Sequence, residues 1–297
     1  FRDTYREQFG AMRMQTGSPT REIVFRELQQ GLGALLSRPV DTGPQDPDTD
    51  LLWVETWDVL PASVKNGLEE APQGPEGFLL TRIEAQDQNT ILLTARSDMG
   101  LLYGAYRLLR LLQAETPMEQ LEWDDQPKTA LRMLNHWDNL DRTVERGYAG
   151  LSIWNWHTLP GYLDPRYEEY ARANASIGIN ATALTNVNAN ATVLSPQYLQ
   201  KVAALAEVFR PYGIRVFLTA RFSAPMELGG LPTADPLDPA VGRWWAAKAR
   251  EIYADIPDFG GFLVKANSEG QPGPQSFGRT HLEGANMMAD ALAPFGG

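Results

Sequence analysis

The sequence predicts an α/β protein whose larger part is built from parallel strands joined by helices, and three features of its 297 residues carry this prediction. A capping residue followed by proline begins a helix at Asp164-Pro165, Ser195-Pro196 and Asp238-Pro239. A glycine precedes a short apolar run after each of these helices, and polar or aromatic residues follow each run. Strands that alternate with helices at this spacing are parallel and are joined by right-handed crossovers.

Residues 1–125 are predicted to form a small α/β supporting domain. Residues 1–17 are polar and predict no element, whereas Ser18-Pro19 and Asp98-Met99-Gly100 each begin a helix with an apolar face. The predicted strands are Leu51–Val54, Gly77–Ile83 and Thr90–Ala95, with a Pro- and Asp-rich loop at residues 41–50 and a turn at residues 86–89. No acid or base clusters at the ends of these strands, so we expect this domain to support catalysis rather than perform it.

Residues 126–297 are predicted to form the second domain, because the stretch Glu115–Lys128 is polar, contains two prolines and is typical of a boundary. The predicted strands of this domain are Leu131–His136, Ile179–Thr185, Ile214–Thr219 and Phe262–Val264. The three helices described above lie between them. The glycines around the last strand and its apolar residues predict that it is buried on both faces.

A doubly wound sheet and a (β/α)8 barrel share this alternation of strands and helices. Polar or aromatic residues follow every strand here, at residues 135–139 and 186–190, at Arg221 and at residues 265–269. Clusters at the carboxyl ends of successive strands are typical of the active face of a barrel, whereas a doubly wound sheet concentrates them at one switch point. We therefore predict the first half, about four βα units, of a (β/α)8 TIM barrel, and we expect the chain to be part of a longer enzyme.

Composition narrows the classes of partner. Lys and Arg number 26 against 37 Asp and Glu, a net charge of −11 that argues against nucleic acid or an anionic membrane as the main partner. Cysteine is absent, which excludes disulfides, thiol catalysis and cysteine-ligated metals. No apolar run approaches the roughly 18 residues of a membrane span, and the first residues are not those of a signal peptide. Eight Trp, ten Tyr and eleven Phe suit a carbohydrate cleft, although a large core also uses aromatic residues.

The stretch Gly260–Pro274 is the leading candidate for a functional site. Its apolar strand ends at Lys265, Glu269 follows four residues later, and Gly270 and Pro272 then force a loop. This pattern places a cation and a carboxylic acid together at the rim of a cleft at the sheet edge. The alternative interpretation is an ordinary strand end with a solvated charge pair.

Four motifs make the sequence similar to the α-glucuronidases of glycoside hydrolase family 67. They are residues 100–110 (GLLYGAYRLLR), residues 132–150 (RMLNHWDNLD followed by VERGYAG), residues 179–189 and residues 261–274 (GFLVKANSEGQPGP). The resemblance runs from about residue 20 to the end of the chain. It implies a hydrolase that removes 4-O-methyl-D-glucuronic acid from xylan-derived xylooligosaccharides, with inversion and without a metal or other cofactor.

The resemblance also implies roles for individual residues. Glu269 matches the general acid, and Lys265 matches the lysine on the uronate carboxylate. Trp137 matches a pocket tryptophan, and Val187 matches the residue beside the 4-O-methyl group. The predicted substrate-binding set is completed by Asn188, His136, Asn267 and Arg279. The partner it implies is a glucuronic-acid-substituted xylooligosaccharide, with no nucleic acid or membrane partner, and it allows a homodimer of the full-length protein.

Inverting hydrolysis needs a second carboxylate, the base, at roughly 6.5–9.5 Å from the acid. The family places its basic carboxylates on later strands, so we predict that residues 1–297 alone do not hydrolyse glucuronosyl linkages. Asp138 and Asp141 are the nearest carboxylates that could imitate a base, but an Asp in such a loop usually serves a turn. The histidines at positions 136, 157 and 281 show no metal-ligand spacing.

Two other functions stay open at this point. The first is a non-catalytic uronate-binding protein on the same scaffold. The second is a hexosaminidase-like enzyme, which would need paired Asp and Glu after the fourth strand of the second domain. Asn267-Ser268-Glu269 does not supply that pair.

Overall fold

The computed structural model describes residues 2–43, 51–85 and 88–296. Its first compact unit comprises Phe1–Ala130, Arg172–Gly178 and Pro211–Gly213, and the second comprises Leu131–Ala171, Ile179–Arg210 and Ile214–Gly297. Residues 44–50 of the predicted loop and residues 86–87 of the predicted turn lie outside the described residues. The predicted domain boundary after residue 125 stays a prediction.

The first unit contains a sheet with two helices packed against it. The elements between residues 2 and 125 are α1 (Arg2–Gln8), β1 (Ala11–Met14), α2 (Pro19–Leu36), β2 (Leu51–Thr56), α3 (Ala62–Lys65), β3 (Phe78–Ala85), β4 (Gln88–Ala95), α4 (Asp98–Gln113) and β5 (Trp123–Asp125). The strand order is β1-β2-β4-β3-β5. The pairs β1–β2 and β2–β4 are parallel, whereas β3 pairs antiparallel with β4 and with β5.

Both predicted helices of this unit begin where the sequence predicts: α2 begins directly after its predicted cap Ser18, and α4 begins at Asp98 after a cap, Ser97, that was not predicted. The Ser18 hydroxyl accepts a hydrogen bond from the Arg21 amide at 3.1 Å, and the Ser97 hydroxyl accepts from the amides of Met99 and Gly100. The apolar faces of α2 and α4 pack against each other, and α4 covers β2, β3 and β4. Leu28 and Leu32 on α2 and Leu102 on α4 are fully buried there. This packing of two helices on a sheet is the core of the first unit.

An ion-pair network ties α2 to the sheet and to α4. Arg21 donates from Nε to Asp98 at 2.8 Å and from Nη2 to Glu55 at 2.8 Å and to the Thr56 hydroxyl at 2.9 Å. The side chains of Arg21 and Glu55 are only 13% and 5% exposed. Ser18 also donates its hydroxyl to Asp98 at 2.6 Å, so every carboxylate in the network is hydrogen-bonded. We call this set the Arg21 network.

The second unit contains a parallel sheet that forms half of a barrel. The elements from residue 133 onwards are β6 (Met133–Asn135), α5 (Pro165–Ser176), β7 (Ala181–Ala183), α6 (Pro196–Phe209), β8 (Arg215–Arg221), α7 (Ala224–Glu227), α8 (Pro239–Asp255), β9 (Gly261–Lys265) and α9 (His281–Leu292). The four strands lie in chain order, β6-β7-β8-β9, and every neighbouring pair is parallel. A doubly wound sheet would reverse its strand order, so the predicted half-barrel is confirmed.

Every second residue of these strands faces the inside of the half-barrel. Ala181, Ala183 and Phe217 form a buried cluster there, with Met133 and Leu263 packed against it. Gly260 lies so close to the Phe217 ring that a Cβ at this position would stand 2.1 Å from it, which explains the glycine before β9. The same alternation brings Arg221 and Lys265, which are paired in register, to the carboxyl end of the sheet.

The prediction that the last strand is buried on both faces is wrong. Val264 is exposed, and Phe262 and Leu263 are only partly buried. The physical reason is position: β9 is the final strand in the order and pairs only with β8 among the described strands. Sequence analysis also missed α1, β1 and α9. The first two are short and lie in a polar stretch, and α9 begins at His281, directly after the N-cap Thr280, which forms a capping box with Glu283.

Candidate active site

Glu269 lies at the tip of a tight turn just beyond β9. The Gln271 amide donates to the Ser268 carbonyl at 2.9 Å, and Glu269 and Gly270 between them have φ values of 50° and 75°. Two successive positive φ values are those of a type I′ turn, for which Asn-Gly is the preferred sequence. A glutamate in this conformation is uncommon and strained. The turn therefore presents a carboxylate where local backbone preference favours asparagine.

Three side chains donate hydrogen bonds to the two carboxylate oxygens of Glu269. Lys265 and Asn188 both donate to Oε2, the Asn188 amide at 3.1 Å, and Arg146 donates to Oε1 at 3.1 Å. The Asn188 carbonyl oxygen in turn accepts from the Lys265 ammonium at 2.6 Å. We call Lys265, Asn188 and Arg146 together with Glu269 the Glu269 cluster. It joins the ends of two strands to a loop that follows a third.

The members of this cluster differ in how firmly they are held. Lys265 is only 10% exposed, because it points inward from β9 beside Arg221. Arg221 is itself paired, since its Nε lies 3.1 Å from a carboxylate oxygen of Glu227. Glu269 is 49% exposed and Arg146 is 73% exposed. Asn188 is fixed through its backbone amide, which donates to the side-chain oxygen of Asn186 at 2.9 Å. The lysine and the asparagine are thus anchored, whereas the carboxylate and the guanidinium stand in solvent.

These contacts stabilise the ionised form of Glu269. The hydrogen bonds from Lys265 and Asn188, followed by the charges of Lys265 and Arg146, lower the pKa of Glu269 from its ordinary value to about 2. With that pKa only about one molecule in a thousand carries the proton at pH 5. Glu269 is therefore an anion in the free protein, not a loaded general acid.

Trp137 and Arg146 lie on a long loop that follows β6 and is built around Asp138. The Asp138 carboxylate is buried, accepts from the Ser152 hydroxyl and lies 3.6 Å from Nδ1 of His136. The Asp138 carbonyl accepts from the Asn186 amide at 2.8 Å, which ties this loop to the end of β7. The ring of Trp137 is exposed, while its carbonyl accepts from the Glu145 amide at 2.8 Å.

His136 sits in an aromatic cluster beside this loop. Its Nε2 is 2.8 Å from the Tyr170 hydroxyl, which is also hydrogen-bonded to Thr182 at 2.9 Å. Burial raises the pKa of Tyr170 to about 12, so its hydroxyl stays neutral. The indole of Trp154 packs edge-on against His136 and Tyr170. The described contacts of His136 thus support the wall of the site and do not reach Glu269.

Two other predicted substrate-binding residues have their described hydrogen bonds outside the Glu269 cluster. Asn267 donates to the Ser276 hydroxyl at 2.9 Å and accepts from the Gln275 amide at 3.0 Å, so it braces the loop after the turn. Arg279 makes a two-pronged pair with Asp235 at 2.8 and 2.9 Å. Val187 is half-buried next to Asn188. Of the predicted set, the structure therefore brings together Lys265, Glu269 and Asn188. The described hydrogen bonds of His136, Asn267 and Arg279 go to residues outside this cluster.

Sequence analysis did not assign a role to Arg146. It is separated from Glu269 by 123 positions in the chain, and the contact depends on how the loop after β6 folds. A signal was present, because Arg146 stands between an acid and a glycine in a loop whose residues resemble a family motif. Its partner Glu145 lies 3.5 Å from its Nε and has a positive φ of 57°. Backbone strain at a charged pair is a reason to examine it for function.

The described part of the chain contains neither a metal-binding cluster nor a membrane-spanning helix. No group of three or more His, Asp or Glu side chains there could hold a metal ion. Among the described helices, none combines the length and the apolar character needed to cross a membrane.

A parallel half-barrel with an acid and two cations at the carboxyl ends of its strands defines a protein of the (β/α)8-barrel class. The sequence matches the glycosyl hydrolase family 67 N-terminus over residues 1–108 and the glycosyl hydrolase family 67 middle domain over residues 111–297. The chain therefore belongs to glycosyl hydrolase family 67, as the sequence motifs predict.

Curated relatives agree with this assignment. The chain is 40% identical over 276 residues to the probable alpha-glucuronidase A of Aspergillus fumigatus, covering 93% of this chain and 32% of that protein. It is 39% identical over 293 residues to the probable alpha-glucuronidase A of Aspergillus terreus, covering 97% and 34%. The alpha-glucuronidase A of Aspergillus tubingensis is 38% identical over 283 residues, covering 95% and 33%. The chain thus spans about a third of the length of the curated relatives it matches.

Solved structures support the fold alone. A GH138 enzyme targeting pectin rhamnogalacturonan II superposes with a TM-score of 0.59 at 15% identity, covering 96% of this chain and 41% of that one. A chitobiase of Flavobacterium johnsoniae superposes with a TM-score of 0.51 at 14% identity, covering 97% and 48%. At such low identity these matches carry no information about substrate.

Proposed function

We propose that this chain supplies the general acid and the uronate-binding cation of an α-glucuronidase. The reaction is removal of (4-O-methyl)-D-glucuronic acid from xylan-derived xylooligosaccharides with inversion. The observation that carries the proposal is the Glu269 cluster, in which a lysine, an amide and a guanidinium converge on one carboxylate at the carboxyl end of the half-barrel. Membership of the family and the names of the curated relatives support the substrate class.

Each residue of the site has a proposed role. Glu269 donates a proton to the leaving oxygen of the xylose, and Lys265 holds the uronate carboxylate, since a buried anion needs a cation that offsets its lost hydration. Asn188 orients Lys265 through their 2.6 Å hydrogen bond. The exposed ring of Trp137 offers an apolar face to the sugar, and Val187 lies beside the 4-O-methyl group. His136 supports the loop that carries Trp137. For Asn267 and Arg279 a direct contact with the substrate stays a prediction.

The general base is proposed to come from outside residues 1–297. Three carboxylates of the loop after β6 are each engaged locally: Asp138 by Ser152, Asp141 by the amide and hydroxyl of Thr143, and Glu145 by Arg146. The bonds from Thr143 lower the pKa of Asp141, which suits a turn residue. We accordingly expect residues 1–297 alone to bind a uronate without hydrolysing its glycosidic bond.

The test is turnover of a short aldouronic acid by a full-length enzyme that contains this chain. Glu269→Gln removes the transferable proton and should lower kcat by about 10²- to 10⁴-fold, the usual contribution of a general acid. Glu207→Gln is the matched control, because Glu207 is an exposed carboxylate on α6 that pairs with Arg210, and it should leave kcat unchanged. Undiminished turnover in Glu269→Gln would remove Glu269 from the mechanism.

A second candidate function is non-catalytic uronate binding. The low pKa of Glu269 favours it, because an ionised carboxylate cannot donate a proton. The same experiment separates the two candidates. Binding of the aldouronic acid without any release of uronic acid by the full-length protein would support the binding protein and contradict the hydrolase.

A further inference from the structure

The Glu269 cluster is a carboxylate-binding site that the protein fills with its own carboxylate. Lys265 and Asn188 donate to one oxygen of Glu269, and Arg146 donates to the other. A uronate carboxylate presents the same two oxygens with the same spacing and charge. Lys265 therefore cannot serve the substrate as the proposed function requires while Glu269 holds it in this way.

The charges of the site are balanced before any substrate arrives. Lys265 and Arg146 carry two positive charges, and Glu269 and Glu145 carry two negative ones. Arg221, the remaining cation beside Lys265, is paired with Glu227 at 3.1 Å. Entry of one uronate adds a negative charge to a cluster whose own charges already cancel. Uptake of one proton by a carboxylate restores the balance, because an additional anion beside the same cations raises the pKa of a neighbouring carboxyl group.

The geometry decides which partner moves. Lys265 is largely buried and hydrogen-bonded to Asn188, so the cation stays in place. Glu269 is half-exposed at the tip of a turn, so its side chain can leave the cluster by rotation about its own bonds. Arg146 is the most exposed member and can follow either carboxylate. Displacement of Glu269 therefore needs no change in the sheet.

We propose that binding of the substrate's own carboxylate causes the general acid to be protonated. The uronate displaces Glu269 from Lys265 and Arg146, and the released Glu269 takes a proton from solvent. This inference rests on the proposed function and deepens it. No bond of the substrate changes in this step; one proton moves from hydronium, resupplied by the acid form of the buffer, to a carboxylate oxygen of Glu269. Arg146 becomes a specificity residue, because it pairs with Glu269 in the free protein and with the uronate in the complex. A neutral sugar such as glucose cannot displace Glu269, so Glu269 stays ionised and cannot act as the general acid towards it.

The experiment is calorimetry of D-glucuronate binding to the full-length protein that contains this chain, at pH 4.5 in two buffers of different ionisation enthalpy, which counts the protons exchanged. Free Glu269 is ionised at this pH. Release to the ordinary glutamate pKa of about 4.3 gives an uptake of about 0.4 proton, and proximity to the bound uronate raises this towards one. D-glucose is the neutral control and should cause no uptake.

Variants identify the side chain that takes up the proton. In Glu269→Gln the uptake should vanish while uronate binds roughly 3- to 30-fold more tightly, since an internal competitor and a like charge are removed. Arg146→Gln should weaken binding by about 3- to 10-fold, and Arg146→Lys should recover part of that loss. A purely structural arginine would leave the number of protons unchanged, whereas here it should fall along with the affinity.

The outcomes distinguish this inference from the function it rests on. Uptake in the wild-type protein that disappears in Glu269→Gln supports the inference. Uronate binding without proton uptake overturns the inference and leaves the proposed function standing. Uptake that persists in Glu269→Gln also overturns it, because the proton then goes elsewhere. Failure of D-glucuronate to bind overturns the proposed function together with the inference.

Discussion

The Arg21 network and the Glu269 cluster use the same chemistry for different purposes. Each joins cations to carboxylates through charge-assisted hydrogen bonds. The first is buried on ordinary backbone, and hydroxyl groups complete its hydrogen bonds. The second is open to solvent, and its carboxylate stands on a strained turn. Burial and backbone conformation, rather than residue type, separate an ion pair that holds a fold from one that is available to a ligand.

The largest expected difference between the two regions is in stability. Arg21→Met leaves the carboxylate of Glu55 buried without its cation, which should lower the free energy of unfolding by about 3–5 kcal/mol. Arg146→Met, the matched change in the exposed cluster, should alter it by less than about 0.5 kcal/mol. Urea unfolding followed by circular dichroism measures both. Equal losses of unfolding free energy in the two variants would show that the two ion-pair regions do not differ in their contribution to stability.

The pKa of Glu269 should respond strongly to the loss of one neighbour. Lys265→Met removes its largest stabilising contact, so the pKa should rise from about 2 towards the ordinary value of about 4.3, and Arg146→Met should raise it less. Carboxyl carbon NMR titration measures the shift. Glu283 is the control, because its lowered pKa comes first from the backbone and hydroxyl of Thr280 and should not move.

The direction of the pH effect follows from the same shift. The folded-state pKa of Glu269 lies below its unfolded value, so whatever the cluster contributes to stability is present above about pH 4.3 and is lost as the pH falls towards 2. Because Glu269 is exposed, solvent screens this contribution. A stability that rises as the pH falls through this range would contradict the ion pairing described for the cluster.

A smaller effect should come from the turn. Glu269→Asn places the preferred residue at a φ of 50° and should raise the unfolding midpoint of the second unit by about 2 °C while abolishing turnover in the full-length enzyme. Gly270→Ala should lower the midpoint by a similar amount, because alanine is strained at a φ of 75° although its Cβ would meet no neighbour. Scanning calorimetry compares the variants. A lower midpoint in Glu269→Asn would show that the cluster stabilises the fold more than the turn strains it.

The smallest expected effect is that of salt. Raising the ionic strength from about 0.05 to 0.5 M should weaken D-glucuronate binding roughly threefold, because Arg146 is solvent-exposed and Lys265, although largely buried, pairs with a carboxylate that is half-exposed. The unfolding free energy contributed by the buried Arg21 network should change little over the same range. Isothermal titration and urea unfolding in matched buffers test the contrast. Salt-independent uronate binding would place the ligand away from this cluster.

Sequence reasoning succeeded where a local signal was strong. Capping residues followed by proline located the starts of α2, α5, α6 and α8, and glycines marked the entry to β7, β8 and β9. The motif around β9 brought Lys265 and Glu269 together, since both lie on one short segment. The order of the strands was predictable because each apolar run was followed by polar residues, as at the active face of a barrel.

The failures are those of long-range contact. Arg146 reaches Glu269 only through the folded loop after β6, and no local pattern encodes that approach. Asn267 lies within the last family motif and Arg279 lies five residues after it, but their described bonds go to Ser276, Gln275 and Asp235. Those bonds depend on the path of the loop between β9 and α9. The burial of β9 was overestimated because an apolar strand at the end of a sheet has the same sequence as one in its middle.

The strand order of the half-barrel has a consequence for how the chain folds. Each strand pairs with the one that precedes it in the sequence, and paired residues are roughly 34 to 48 positions apart. The sheet can therefore grow by one strand and one helix at a time, without waiting for distant segments. Asn188 is synthesised before Lys265 and Glu269, so the side-chain amide that orients the lysine is already part of the growing chain when the last strand is added.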